Sequence, residues 1–79
     1  MPTLYRARHW KITVYADDHH PPHFHVQTPD GESLVDLATL REMRVGADRR
    51  SVREALAWAN ANRDLIFRVW MSLNERSEP

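Results

Sequence analysis

Seventy-nine residues fill one domain with a single modest core, a size that is marginally stable unaided and gains from a partner, a second copy of itself or a metal. Eleven basic against eleven acidic side chains exclude a nucleic-acid binder that works by net charge alone, and the lack of cysteine excludes disulfides and thiolate metal sites. With only Gly31 and Gly46 there is no glycine-rich phosphate loop, and with no apolar leader or long uncharged stretch the expectation is a cytoplasmic protein without a signal peptide or membrane span.

The chain reads as strands first and helix afterwards. A first strand around Leu4 to Arg8 is expected to pair, through a tight turn near His9, with a second in which Trp10, Ile12 and Val14 alternate with Lys11, Thr13 and Tyr15. His9 beside this turn reads as structural. Asp17-Asp18-His19-His20-Pro21-Pro22-His23-Phe24-His25-Val26 follows and holds four of the five histidines. Histidine titrates nearest neutrality and is the commonest nitrogen ligand for metals, so this stretch is where chemistry is expected. The two prolines fix φ and stiffen the approach to the next strand.

That strand spans His23 to Thr28, with Phe24 and Val26 on the core face and His23, His25 and Gln27 pointing away from it. Pro29-Asp30-Gly31-Glu32 reads as a hairpin turn in which Asp-Gly supplies the permissive backbone positions, and Ser33 to Ala38 is the return strand. Pairing Thr28 with Ser33 sets Val26 against Val35, Phe24 against Leu37 and His25 against Asp36, whose Cβ atoms would then lie within about 5.5 Å. His23, His25 and Asp36 are accordingly a same-face constellation, with Tyr15 beside them.

Residues 39–50 read as a linker turning at Gly46, and Ser51-Val52-Arg53-Glu54 as a capping box opening a helix over about 51–74. Val52, Ala55, Leu56, Ala59, Ile66, Trp70 and Leu73 form its core stripe, and Trp58, Leu65 and Val69 a second strip available to a protein partner. Arg63 interrupts the stripe, and the weakly helical run Asn60 to Asp64 predicts a kink with Asp64 capping a second helix. The fold class expected for the single domain 1–79 is α+β: a small antiparallel sheet of three to four strands followed by a long C-terminal helix, kinked or whole, packed on one face.

Three readings fit the histidines. They are hydrogen-bonded strand residues without chemistry; or they ligate a divalent metal, with His23, His25 and Asp36 or Asp18 as ligands; or they work as acid and base on a phosphodiester, with Asp36 or Asp18 holding an imidazole tautomer. In the third reading the catalytic set is His23, His25, His19, Asp18 and Asp36. Lys11, Arg6 or Arg8 could assist, although lone basic residues on strands are ordinarily just solvated and count for little, and the ribose 2′-hydroxyl of RNA would supply the nucleophile.

Met1-Pro2-Thr3, then Asp18-His19-His20-Pro21-Pro22-His23-Phe24-His25-Val26, then a hairpin, a linker and a tryptophan-containing terminal helix together resemble the small bacterial family catalogued as domain of unknown function 4160. The resemblance covers nearly the whole chain and rests on Asp18, His19, Pro21, Pro22, His23 and His25, with His20 at the variable place. It implies a cytoplasmic bacterial protein paired with a small cognate antitoxin-like partner of the domain of unknown function 2442 type, this chain being the toxin-like half of a type II toxin–antitoxin module. It implies no established reaction. The competing expectation is a non-catalytic interaction or regulatory module whose helix binds the partner.

Overall fold

In the computed structural model, which describes residues 3–16 and 21–74, five strands precede two helices. The strands are β1 (Thr3–Arg6), β2 (Lys11–Thr13), β3 (His23–Thr28), β4 (Gly31–Asp36) and β5 (Glu42–Arg44), and the helices are α1 (Arg49–Ala61) and α2 (Arg63–Asn74). All neighbours pair antiparallel in the order β1-β2-β3-β4-β5, a meander in which each strand lies beside its sequence neighbour. The architecture is α+β. Its sheet has five strands rather than three to four, because Glu42–Arg44, expected in the linker, pairs with β4. That strand is short and polar and carries no apolar alternation by which sequence could reveal it.

The core lies between one face of the sheet and the helices. Ile12, Val14, Phe24, Val26, Val35 and Leu37 supply the sheet side, and Val52, Ala55, Ala59, Ile66 and Trp70 the helix side. Leu56 and Leu73, expected in the stripe, are partly buried against the same cluster. The β1–β2 hairpin is fastened to α1 by two aromatic residues: the Tyr5 ring of β1 stacks on Trp58 at 4.8 Å, and the indole N–H of Trp10, just before β2, donates to Glu54 at 3.0 Å.

The central hairpin departs from the expected register by two residues. Thr28 pairs with Gly31, not Ser33, so Phe24 meets Val35, His25 meets Leu34 and His23 meets Asp36. The connection is therefore the two-residue turn Pro29-Asp30. Its amides are organised by the Thr28 hydroxyl, which accepts from Asp30 N at 3.3 Å and Gly31 N at 3.2 Å. Because side chains alternate with period two, the shift exchanges partners but leaves every side chain on its expected face.

Gly31 is not a positive-φ turn residue; no glycine has positive φ. Its role is close approach. A Cβ on Gly31 would stand 2.5 Å from the Gly46 carbonyl oxygen, and a Cβ on Gly46 would meet the Glu32 carbonyl closer still. The segment entering α1 crosses β4 here, tied down where the buried Ser33 hydroxyl accepts from Gly46 N at 3.0 Å and Ala47 N at 2.9 Å. Leu40 carries the one positive φ of a non-glycine residue among those described, 62°, at the end of the β4–β5 turn. Its amide donates to the Asp36 carbonyl at 2.7 Å there.

Helix α1 opens earlier than expected. Asp48 is its N-cap and accepts from Ser51 N at 2.9 Å, so Ser51 sits buried in the first turn instead of capping it. This hydrogen bond holds the Asp48 carboxyl below its usual range. Arg49 grips Glu42 of β5 with both terminal guanidinium nitrogens, at 2.6 and 2.7 Å, which lowers the Glu42 pKa and clamps the edge strand to the helix.

The break foreseen near Arg63 is real, and it falls at Asn62. That residue caps α1, with its amide donating to Ala59 O and its side chain to Trp58 O. Arg63 escapes the core by turning outward, where it donates to the Ala38 carbonyl at 3.0 Å.

Replacing Gly46 by alanine should force β4 and the α1 approach apart. We expect a loss of about 1–3 kcal/mol, as for overpacking, read from the midpoint of urea unfolding.

Candidate functional site

The sheet face turned away from the helices carries the polar residues in rows set by strand pairing. One row runs Arg6, Lys11, Gln27, Glu32 across β1 to β4, and the next contains Thr13, His25 and Leu34. His23 and Asp36 form a third, with Tyr15 just beyond β2. His23 and His25 lie on the expected face, but they are only 4% and 8% exposed, so they are buried rather than outward-facing. Their ring centroids are 5.3 Å apart, and the Tyr15 ring meets His25 edge-on at 4.6 Å.

Gln27 organises this face. Its carbonyl accepts from the Thr13 hydroxyl at 3.0 Å, while its amide nitrogen donates to the Tyr15 hydroxyl at 2.8 Å and to Glu32 Oε1 at 2.9 Å. The other Glu32 oxygen lies 3.2 Å from His25 Nδ1. Glu32 is held below its ordinary pKa first by the Gln27 hydrogen bond, against the opposing effect of burial, and then by the hydrogen bond to His25. An ionised carboxylate only accepts, so His25 Nδ1 donates to Glu32. His23 Nδ1 likewise donates to the Pro21 carbonyl oxygen, at 2.8 Å. The proline segment thus sets one imidazole and the hairpin sets the other.

Asp36 does not take the place expected for it. Register puts it across from His23, and its Oδ1 accepts from Ala38 N at 2.8 Å and Thr39 N at 3.1 Å. It therefore shapes the β4–β5 turn, and the carboxylate that meets His25 is Glu32. Sequence reasoning missed Glu32 and Gln27. The signal was present: a two-residue Pro29-Asp30 turn places them directly opposite one another.

His23, His25 and Asp36 do not assemble as a metal site, because among the described residues no three His, Asp or Glu side chains converge to hold an ion. Asp18 and His19, the remaining members of the expected catalytic set, lie outside the described residues. So does His20. Of the expected partner strip, Trp58 and Val69 pack partly buried against the core, whereas Leu65 is 41% exposed; Phe67, on the other flank of the buried Ile66, is 47% exposed. His9 is exposed at the β1–β2 turn. No helix among the described residues is long and apolar enough to cross a membrane.

The chain is thus an α+β protein, a five-stranded antiparallel meander backed by two helices with a histidine pair seated on its far face. The chain belongs to the family described as domain of unknown function DUF4160, whose family model matches residues 10–71. No curated protein and no solved structure matches the chain.

Glu32 yields a pH prediction. Its folded-state pKa is depressed, so its contribution to stability is present above the ordinary value near 4.5 and is lost as pH falls through the lower folded value. Unfolding midpoints measured across that window should decline with acid in the wild type, and Glu32→Gln should decline less steeply.

Proposed function

We propose that this protein is the toxin-like half of a bacterial two-protein module and that His23 and His25 act as an acid–base pair on RNA. The observation that carries this reading is the acceptor seated at Nδ1 of each imidazole, the Pro21 carbonyl at His23 and Glu32 at His25. An acceptor at Nδ1 fixes the orientation of the ring, and a carboxylate in that place stabilises the imidazolium once formed. Glu32 stands in that position to His25. The chemistry would be transfer of the ribose 2′-hydroxyl proton to one imidazole while the other protonates the departing 5′-oxygen. The 2′-oxygen attacks phosphorus, leaving a 2′,3′-cyclic phosphate. A divalent metal, if the reaction uses one, would need ligands beyond His23, His25 and Asp36.

Expressing the chain alone should slow bacterial growth, and His23→Ala or His25→Ala should restore it. Purified protein should cleave RNA, and each substitution should lower the rate by about 10²–10⁴-fold, the usual contribution of a general acid or base. Circular dichroism of the variants separates loss of chemistry from loss of fold. Equal growth of all strains, with no cleavage of RNA with or without divalent metal, would overturn the proposal.

A second reading is favoured by the exposed Leu65 and Phe67 on α2 and by the burial of the histidines: a non-catalytic module whose helix binds a small cognate protein. On this reading Leu65→Ala and Phe67→Ala weaken capture of the co-expressed neighbouring gene product, whereas His25→Ala does not. Unchanged capture by the helix variants would place the interface elsewhere.

A further inference from the structure

At the end of the sheet where the β1–β2 and β3–β4 turns lie side by side there is a cleft of about 270 Å³. It is lined by the hairpin turn from Arg6 to Lys11 and by Gln27, Thr28 and Pro29. No carboxylate lines it, whereas three basic side chains do: Arg6, Arg8 and Lys11, with His9 beside them. The turn itself is firm, closed by Ala7 N donating to Trp10 O at 2.8 Å, and Trp10 is anchored through its indole to Glu54. None of the three cations forms an ion pair or hydrogen bond with a described residue.

Arg6 and Lys11 are, moreover, direct cross-strand partners. Like charges placed directly opposite one another destabilise a strand pair, so an anion shared between them would remove a repulsion that the protein alone leaves in place. Lys11 in turn pairs with Gln27, the residue that holds the Tyr15, Glu32 and Thr13 network behind His25. Gln27 therefore belongs both to the cleft wall and to the imidazole site.

We propose that this cleft is a phosphate-binding subsite in which Arg6, Arg8 and Lys11 hold a phosphate group one strand row away from His25. A phosphate suits the set because it presents several acceptor oxygens, so a guanidinium fork and an ammonium point charge can share it. The phosphate comes from an RNA strand or from a free nucleotide, and choosing RNA as the natural source rests on the function proposed above.

The test uses the full chain and a short fluorescein-labelled 2′-O-methyl oligoribonucleotide, which cannot be cleaved, with fluorescence anisotropy as the readout. The Arg6→Gln, Lys11→Gln double variant should bind at least tenfold more weakly. Its salt dependence should be shallower by about 1.4 in log–log slope for two lost single-strand phosphate contacts. Its melting temperature should be unchanged or raised, since the cross-strand repulsion is gone.

Competition with inorganic phosphate and with a mononucleotide identifies the source. Displacement by the mononucleotide at its own low concentration supports the subsite and assigns it to a nucleotide; displacement only by RNA supports it and assigns it to a strand. Failure of the wild type to bind any of these probes, or equal binding by the double variant, overturns the subsite. Binding that depends on Arg6 and Lys11 without any cleavage of unmodified RNA upholds the subsite and overturns the acid–base function instead.

Discussion

The pairing of Thr28 with Gly31 across the Pro29-Asp30 turn is the constraint on which the rest of the molecule depends. It sets Phe24 against Val35 on the face that packs under the helices and sets Glu32 against Gln27 on the opposite face. It also brings Gly31 beneath Gly46, so the chain can cross from β5 into α1 without a side chain in the way. Any other register would separate Glu32 from His25, put a larger residue at the crossing, or both. The Thr28 hydroxyl stabilises this turn by accepting two amides that would otherwise face solvent.

What was legible in the sequence followed from periodicity. Alternation in Trp10 to Tyr15 and His23 to Thr28 gave the correct faces, and helical spacing from Val52 to Trp70 gave the correct core stripe. Faces survived even where partners did not, because a shift of two residues keeps the parity of every side chain. The less legible features depend on the approach of segments distant in sequence. Gly31 and Gly46 look like turn residues until the crossing is seen. Ser51 has the pattern of a capping box, yet Asp48 three residues earlier presents its own carboxylate to the Ser51 amide. Asp36 resembles a partner for histidine, but the amides of Ala38 and Thr39 lie closer along the chain and engage its Oδ1. Local competition of this kind for short acidic side chains is common in turns.

The balance of eleven basic and eleven acidic residues conceals an uneven disposition. Glu32, Glu42, Asp48 and Glu54 are each held below their usual pKa by hydrogen bonds inside the fold: Glu32 by Gln27, Glu42 by Arg49, Asp48 by Ser51 and Glu54 by Trp10. These carboxylates are spent on architecture. The side chains of Arg6, Arg8 and Lys11 around the β1–β2 turn, by contrast, form no ion pair with any described residue.

The last described helical turn bears on the imidazoles through very few atoms. Asn74 donates to the Tyr15 carbonyl at 3.0 Å, and the ring of that same tyrosine meets His25 edge-on. The end of α2 and the histidine pair are thus separated by a single residue, although nearly fifty positions of chain lie between Asn74 and His25. The same Asn74 amide also donates to the carbonyl of the buried Trp70 at 3.1 Å, so a substitution at this one position would reach the His25 ring and the core tryptophan together.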